Sequence, residues 1–288
     1  MDPNYTLIWW ILFLSFSFII IFALIYYFFK YKKEKRKALT IYKIPIFAFF
    51  YGIFLLQAFL TRIIPQAADF IPFSFDDATI VATGILFGPI EAIVYGAIAD
   101  LSRTLLNGWV PLPLPFLIFP FTGLIAGVLG ENYRNRKKEI GIKQQFWIFQ
   151  LSLLIFLVVC FTLVYFLGKT GEEEEFLKNS LYVMITISPI FIILLEILFF
   201  YTYRYKKENL SLLVYLTIIF IIVRIFTGFI IRPYSQFYAF DIPFKLEFYE
   251  RVFSSTYLVP SKIFVTFLFI IGCKYAINLK VENNIYLN

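Results

Sequence analysis

The sequence predicts an all-α polytopic membrane protein with about nine transmembrane helices, and three observations carry that prediction. First, 60% of the 288 residues are hydrophobic and only 16% are charged, where a soluble domain is about a quarter charged. Second, the mean hydropathy is +0.79. Third, the apolar residues gather in runs near the ~20 residues that one helix needs to cross the hydrocarbon layer, separated by charge clusters or by Gly and Pro. The excess of 26 Lys and Arg over 19 Asp and Glu lies in short clusters between those runs. It therefore reads as membrane topology and not as a footprint for nucleic acid.

The first helix spans Leu7 to Phe29 and ends at the basic stretch Lys30 to Lys37. Basic residues at a span end are retained on the cytoplasmic side, so this stretch is inside and the N-terminus outside. The charge follows the apolar run where a cleaved signal peptide would have it first, so the segment reads as a retained anchor. The second helix, Tyr42 to Ile64, returns outward. The third and fourth, Asp76 to Phe87 and Ile90 to Leu106, form a short pair broken at Gly88-Pro89, where Pro lacks a donor and Gly bends freely. The fifth, Leu112 to Leu129, ends at Arg134, Arg136, Lys137 and Lys138.

The sixth, Phe146 to Leu167, leads to Glu172 through Glu175, whose four adjacent carboxylates require a solvated loop. The seventh, Leu181 to Tyr203, returns to Arg204, Lys206 and Lys207. The eighth spans Leu212 to Ile231 and the ninth Tyr257 to Ala276, which puts every basic loop and the C-terminus inside. Between the last two, Arg232 to Thr256 mixes aromatic and charged residues. It reads as interfacial loop, either an aromatic belt or a lid over an outward-facing pocket.

Composition also excludes chemistry. The chain has no His, which removes Ser-His catalysis and His-ligated metals. Cys160 and Cys273 lie far apart within apolar runs, so they read as buried small hydrophobes. No Gly-x-x-x-x-Gly-Lys-Ser/Thr loop occurs, so the chain does not itself use ATP. No enzyme activity, cofactor or metal is expected.

Small residues recur at four-residue spacing: Gly84 and Gly88, Ala92 and Gly96, Gly123 and Gly127, and Ala48 and Gly52. Such spacing lets membrane helices approach closely, within this chain or against a partner. Asp100 and Arg103 sit one turn apart on the fourth helix. A charge at membrane depth faces the interior and carries function or pairs structurally, so two readings stand: an Asp100–Arg103 pair that holds helices together, or a polar ligand pocket. Arg62, Arg224 and Arg232 lie toward the same side and would suit an anionic ligand, with Trp109, Tyr234, Phe237 and Tyr238 offering aromatic faces. Glu196 reads as a packing or pairing residue.

The run Ile85-Leu86-Phe87-Gly88-Pro89, with Gly96 and Asp100 in the next helix and Phe121-Thr122-Gly123-Leu124-Ile125-Ala126-Gly127 in the following one, resembles the substrate-binding S components of energy-coupling factor (ECF) vitamin transporters. The folate-type branch is the nearest. Ala48 and Gly52 correspond in placement to the small-x-x-x-small motif of that family's first helix, which contacts the transmembrane coupling subunit. The entry to the ninth helix, Val259-Pro260-Ser261-Lys262, is similar to the family's last helix.

The resemblance implies a six-helix core with both ends inside, a vitamin bound in the outer half, and docking onto a coupling subunit driven by two cytoplasmic ATPases. It divides the chain into an anchor helix and basic linker at 1–40 and a membrane domain at 41–288, with 146–207 an inserted helical hairpin. Folate is the expected vitamin, with riboflavin or another small molecule as the alternative. A membrane scaffold or lipid-handling protein without transport activity is the competing class. The substrate-binding set is then Arg62, Asp100, Arg103, Trp109, Arg224, Arg232 and Tyr234.

Overall fold

In the computed structural model, residues 3–33, 43–63, 76–106, 108, 112–135, 141–168, 174–240 and 243–285 are described. Among them all regular structure is helical: α1 (Pro3–Lys33), α2 (Lys43–Ile63), α3 (Asp76–Leu86), α4 (Pro89–Leu106), the single turn α5 (Pro113–Phe116), α6 (Ile118–Arg134), α7 (Ile142–Gly168), α8 (Glu174–Tyr205), α9 (Leu210–Val223), α10 (Arg232–Phe240) and α11 (Phe244–Ile285). A π-helical segment, Arg224–Ile231, joins α9 to α10 without a break. Among the described residues, six stretches are long and apolar enough to cross a membrane, and α2 adds a shorter apolar run at Ile44–Phe59.

The centre of the bundle is built from α3, α4 and α6. Gly88 takes φ +128°, a conformation that side chains rarely adopt, and this allows the α3–α4 chain to reverse immediately before Pro89. The glycines flanking that turn bring backbones into direct contact. A Cβ on Gly96 would lie 2.5 Å from the Phe119 carbonyl oxygen, and one on Gly84 would lie 2.7 Å from the Gly127 nitrogen. Lipid supplies no hydrophobic drive between helices, so this close packing supplies the cohesion. Four buried threonines are satisfied locally: Thr83, Thr122, Thr217 and Thr227 each donate to the carbonyl four residues earlier, which suits a water-free environment.

Around this centre pack α2, α9 and α11, while α1, α7 and α8 lie outside. In the most apolar stretch of each span, 67% of residues are buried for α5–α6 and α11, but 22% for α1, 28% for α7 and 22% for α8. The outer pair is joined to each other by Phe149 stacked on Phe199 at 4.1 Å, and by Gln150, which donates to Glu196 at 2.8 Å. Glu196 thus has a partner for its charge. Both cysteines are buried and free.

One expectation changes. The stretch Arg232 to Thr256, read from the sequence as an aromatic loop, is helical on both sides of residues 241–243: α10 leaves the π segment directly, and α11 begins at Phe244, well before Tyr257. Its polar residues become helical because they have partners inside the protein. Arg251 Nε donates to Glu247 Oε1 at 2.5 Å one turn earlier, and the aromatics pack against one another, Tyr234 tilted on Phe244 at 4.7 Å and Phe248 edge-on to Phe229 at 5.8 Å.

Candidate functional site

At the end of the bundle where α3 begins and α4 finishes, charged and hydroxyl side chains from α3, α4, the π segment, α8 and α11 collect in one place. Asp77 Oδ2 accepts from Lys262 Nζ on α11, a pairing across 185 positions in which both groups are nearly inaccessible. Asp77 Oδ1 is buried with no hydrogen-bond partner among the described residues. Neighbouring Asp76 accepts from Arg103 Nη1 at 2.5 Å. On α11, Ser254 and Ser255 receive Arg224: its Nη2 donates to Ser254 Oγ at 2.6 Å and to the Arg251 carbonyl at 2.8 Å, and its Nε donates to Ser255 Oγ. Thr256 and Ser188 share a buried hydroxyl bond of 2.6 Å, which ties α8 to the cluster.

The local sequence explains the placement. Pro111, Pro113 and Pro115 mark the entry to α6, and the adjacent acids Asp76 and Asp77 open α3, where negative charge is favoured beside the exposed N–H groups of the first turn. In the π segment the Arg232 N–H reaches the Thr227 carbonyl, five residues back. This widened turn sets Arg224 and Arg232 against α11.

The pairing expected on α4 is revised. The carboxylate that Arg103 reaches is Asp76, 27 residues away, while Asp100 is half-buried and interacts at longer range with Arg103, Arg232 and Asp76. Of the other expected residues, Arg224, Arg232 and Tyr234 are described, Arg224 and Arg232 in the cluster and Tyr234 against Phe244 beside it. Trp109 and the side chains of Arg62 and Tyr238 lie outside the described residues. Sequence reasoning missed Asp77, Lys262, Ser254, Ser255 and Arg251. A Lys and an Asp inside apolar runs were the visible signal, but their pairing across the fold was not.

The opposite end holds a second, smaller polar group. Lys30 Nζ on α1 pairs with Glu131 Oε1 on α6 at 2.9 Å. Arg134 donates to the Gly84 carbonyl at 3.1 Å and to that of Ile85, which covers the free carbonyls at the C-terminus of α3.

The two small residues on α2 face a different environment from the glycines of the centre. Ala48 and Gly52 are exposed, together with Phe49, Leu56 and Phe59 on the same side, and a Cβ on Gly52 would meet no described atom within 4 Å.

A polytopic helical membrane protein with a buried charged cluster at one end and an uncovered small-residue stripe has the make-up of a membrane binding subunit. The family model for the ECF-type riboflavin transporter, S component, matches residues 38–203, more than half of the chain, and the chain belongs to that family. The matched stretch includes most of 146–207 and ends before α9. Over 233 residues the chain is 24% identical to uncharacterized protein MG313 of Mycoplasma genitalium, covering 70% of this chain and 77% of that protein. No solved structure matches.

Proposed function

We propose that this protein captures a vitamin at the charged cluster and delivers it through an ECF importer, with folate as the vitamin. Membership of the S-component family supports the transport class. The observation that carries the binding reading is the cluster itself: a Lys, four Arg and several hydroxyls gathered from distant elements, with a buried Asp77 oxygen left without a hydrogen-bond partner among the described residues. Buried charge at membrane depth is costly and is retained for function. A folate offers a flat ring for Tyr234 and Phe244 and a glutamate tail for the guanidiniums. Riboflavin is the second reading, favoured by the description of the family. Arg62, Asp100, Arg103, Trp109, Arg224, Arg232 and Tyr234 remain the proposed binding set, extended by Asp77 and Lys262.

In this reading the exposed Ala48 and Gly52 meet a helix of the transmembrane coupling subunit, since the described part of this chain leaves that stripe uncovered. Two ATPase subunits on the cytoplasmic side drive reorientation, and this subunit performs no chemistry. The N-terminus is outside and the C-terminus inside, which places the cluster at the outer end. Residues 1–40 form the anchor and linker, and 146–207 form an inserted hairpin on the membrane domain 41–288. The low burial of α7 and α8 supports that division. Titration of the detergent-purified protein with folate, riboflavin and thiamine by calorimetry tests the proposal. Tight folate binding is expected, and tight binding of riboflavin alone would reject folate while leaving the capture role standing.

A further inference from the structure

Three guanidinium groups converge where the π segment meets α11. Arg224, Arg232 and Arg251 lie within electrostatic reach of one another. The nearby carboxylates each have a closer partner: Asp76 pairs with Arg103, Asp77 Oδ2 with Lys262, and Glu247 with Arg251 itself, so among the described residues Arg251 alone of the three guanidiniums is ion-paired. Asp100 interacts with Arg232 only at longer range, and Glu250 acts on Tyr257. Arg224 rests on neutral oxygens of Ser254, Ser255 and the Arg251 backbone. Neither Arg224 nor Arg232 is ion-paired to a carboxylate among the described residues. Like charges gathered in a water-poor site repel, so the arrangement is incomplete without an anion between them.

The backbone is shaped to hold them there. Gly228 lies midway between Arg224 and Arg232, and a Cβ on it would come 2.8 Å from Arg224 Cδ and 3.0 Å from its Nε. The side chain of Arg224 therefore crosses the bare backbone at a position where any larger residue would displace it. The turn beneath is π-helical, a rare geometry that occurs frequently at functional sites. Near this group, Asp77 Oδ1 is a buried acceptor without a donor among the described residues, and Asp77 interacts with both Arg224 and Arg232.

We propose that Arg224 and Arg232, supported by Arg251, form an anion seat, and that the captured molecule places a carboxylate or phosphate there while donating a hydrogen bond to Asp77 Oδ1. This rests on the reading of the cluster as a ligand site. Guanidinium groups grip such anions through paired, charge-assisted hydrogen bonds. A lipid headgroup and a soluble vitamin share the chemistry, so the test separates them.

Riboflavin and its 5′-phosphate, flavin mononucleotide, differ by the anion alone, and folate carries carboxylates on another ring system. Calorimetry on the full chain in detergent is expected to show the phosphate or folate binding at least ~10-fold tighter than riboflavin, the usual span of a charge-assisted contact. Arg232→Gln and Gly228→Ala should abolish that preference, bringing the anions to the affinity each variant shows for riboflavin. Riboflavin bound as tightly as the anions, and unaffected by Arg232→Gln, overturns the seat and leaves vitamin capture standing.

Melting temperature in inorganic phosphate covers the case in which none of the three binds. A rise in wild type that Arg232→Gln lacks keeps the seat and rejects these vitamins, whereas equal rises overturn the seat. Stabilisation that depends on Arg232 in phosphatidylglycerol nanodiscs, with none from the soluble anions, assigns the seat to a lipid headgroup and rejects capture. Should Arg232→Gln fail to fold, Arg232→Lys keeps the charge without the planar fork. It is expected to lose at least ~5-fold in anion affinity, and an unchanged affinity overturns the proposal.

Discussion

Adding one methyl group should have opposite effects at two glycines of this chain. At Gly96, a Cβ would lie 2.5 Å from the Phe119 carbonyl oxygen, 2.6 Å from its carbonyl carbon and 2.9 Å from the Pro120 nitrogen. All three are backbone atoms and cannot swing aside. Carbon pairs rest at ~3.5 Å or more, so α4 and α6 must separate by roughly 0.9 Å, the difference between ~3.5 and the 2.6 Å available. Overpacking of this kind costs about 1–3 kcal/mol, and because the three nearest atoms are all backbone, Gly96→Ala falls at the upper end. Alanine is favoured over glycine in a helix by about 1 kcal/mol, which leaves a net loss of about 2 kcal/mol.

At Gly52 no described atom lies within 4 Å, so only the helix preference acts, and Gly52→Ala should be neutral or stabilising by up to ~1 kcal/mol. Denaturation of the purified variants in mixed micelles, followed by near-UV circular dichroism, measures both. A Gly96→Ala variant within ~0.5 kcal/mol of wild type would refute the direct-contact argument. A Gly52→Ala variant as damaged as Gly96→Ala would show that α2 packs within the chain.

Gly52→Leu should leave folding and ligand binding intact while preventing co-purification with the coupling subunit; equal loss of all three would place the stripe inside the fold. Asp77→Asn strips the buried Lys262 of its counter-ion and should cost about 3–5 kcal/mol. Asp76→Asn should cost less, since Arg103 is partly exposed, with side-chain accessibility of 27% against 6% for Lys262; thermal melts that reverse this order would contradict the pairing. Lys30→Ala removes the ammonium that pairs with buried Glu131 at 2.9 Å and should destabilise by about 1 kcal/mol, read as a fall in melting temperature that Glu131→Gln in the same chain partly restores. Phe149→Ala should loosen α7 from α8, measured as faster proteolysis of that pair, while vitamin affinity stays within twofold.

The spans were legible because lipid imposes a simple rule: ~20 apolar residues per crossing, with charge between crossings. The break at Gly88-Pro89 was equally plain, since both residues act on their own backbone. What the chain did not disclose were choices made in three dimensions. Asp100 and Arg103 are neighbours on one helix face, yet Arg103 reaches Asp76 because the α3–α4 turn folds that carboxylate alongside. Lys262 and Asp77 are separated by nearly two-thirds of the sequence, and no periodicity joins them. Small residues at four-residue spacing looked the same at Gly84 and at Gly52, but one lies against another backbone and the other against nothing described. The charged, aromatic stretch after Arg232 resembled a loop because its polar groups find partners only once α11 is in place.

The glycine-lined contacts among α3, α4 and α6 also limit how this protein can move. Where backbones touch without intervening side chains, neither sliding nor rolling is open to the helices, because any turn about an axis brings a Cβ into the space a glycine leaves empty. That part of the bundle therefore moves as a single block. A passage through it by prising its helices apart would have to dismantle the contacts that give it cohesion. In the proposed reading, cargo held near Asp77 would change its exposure by motion of elements outside that block, such as α10 and the first turns of α11, or by turning of the whole body in the bilayer.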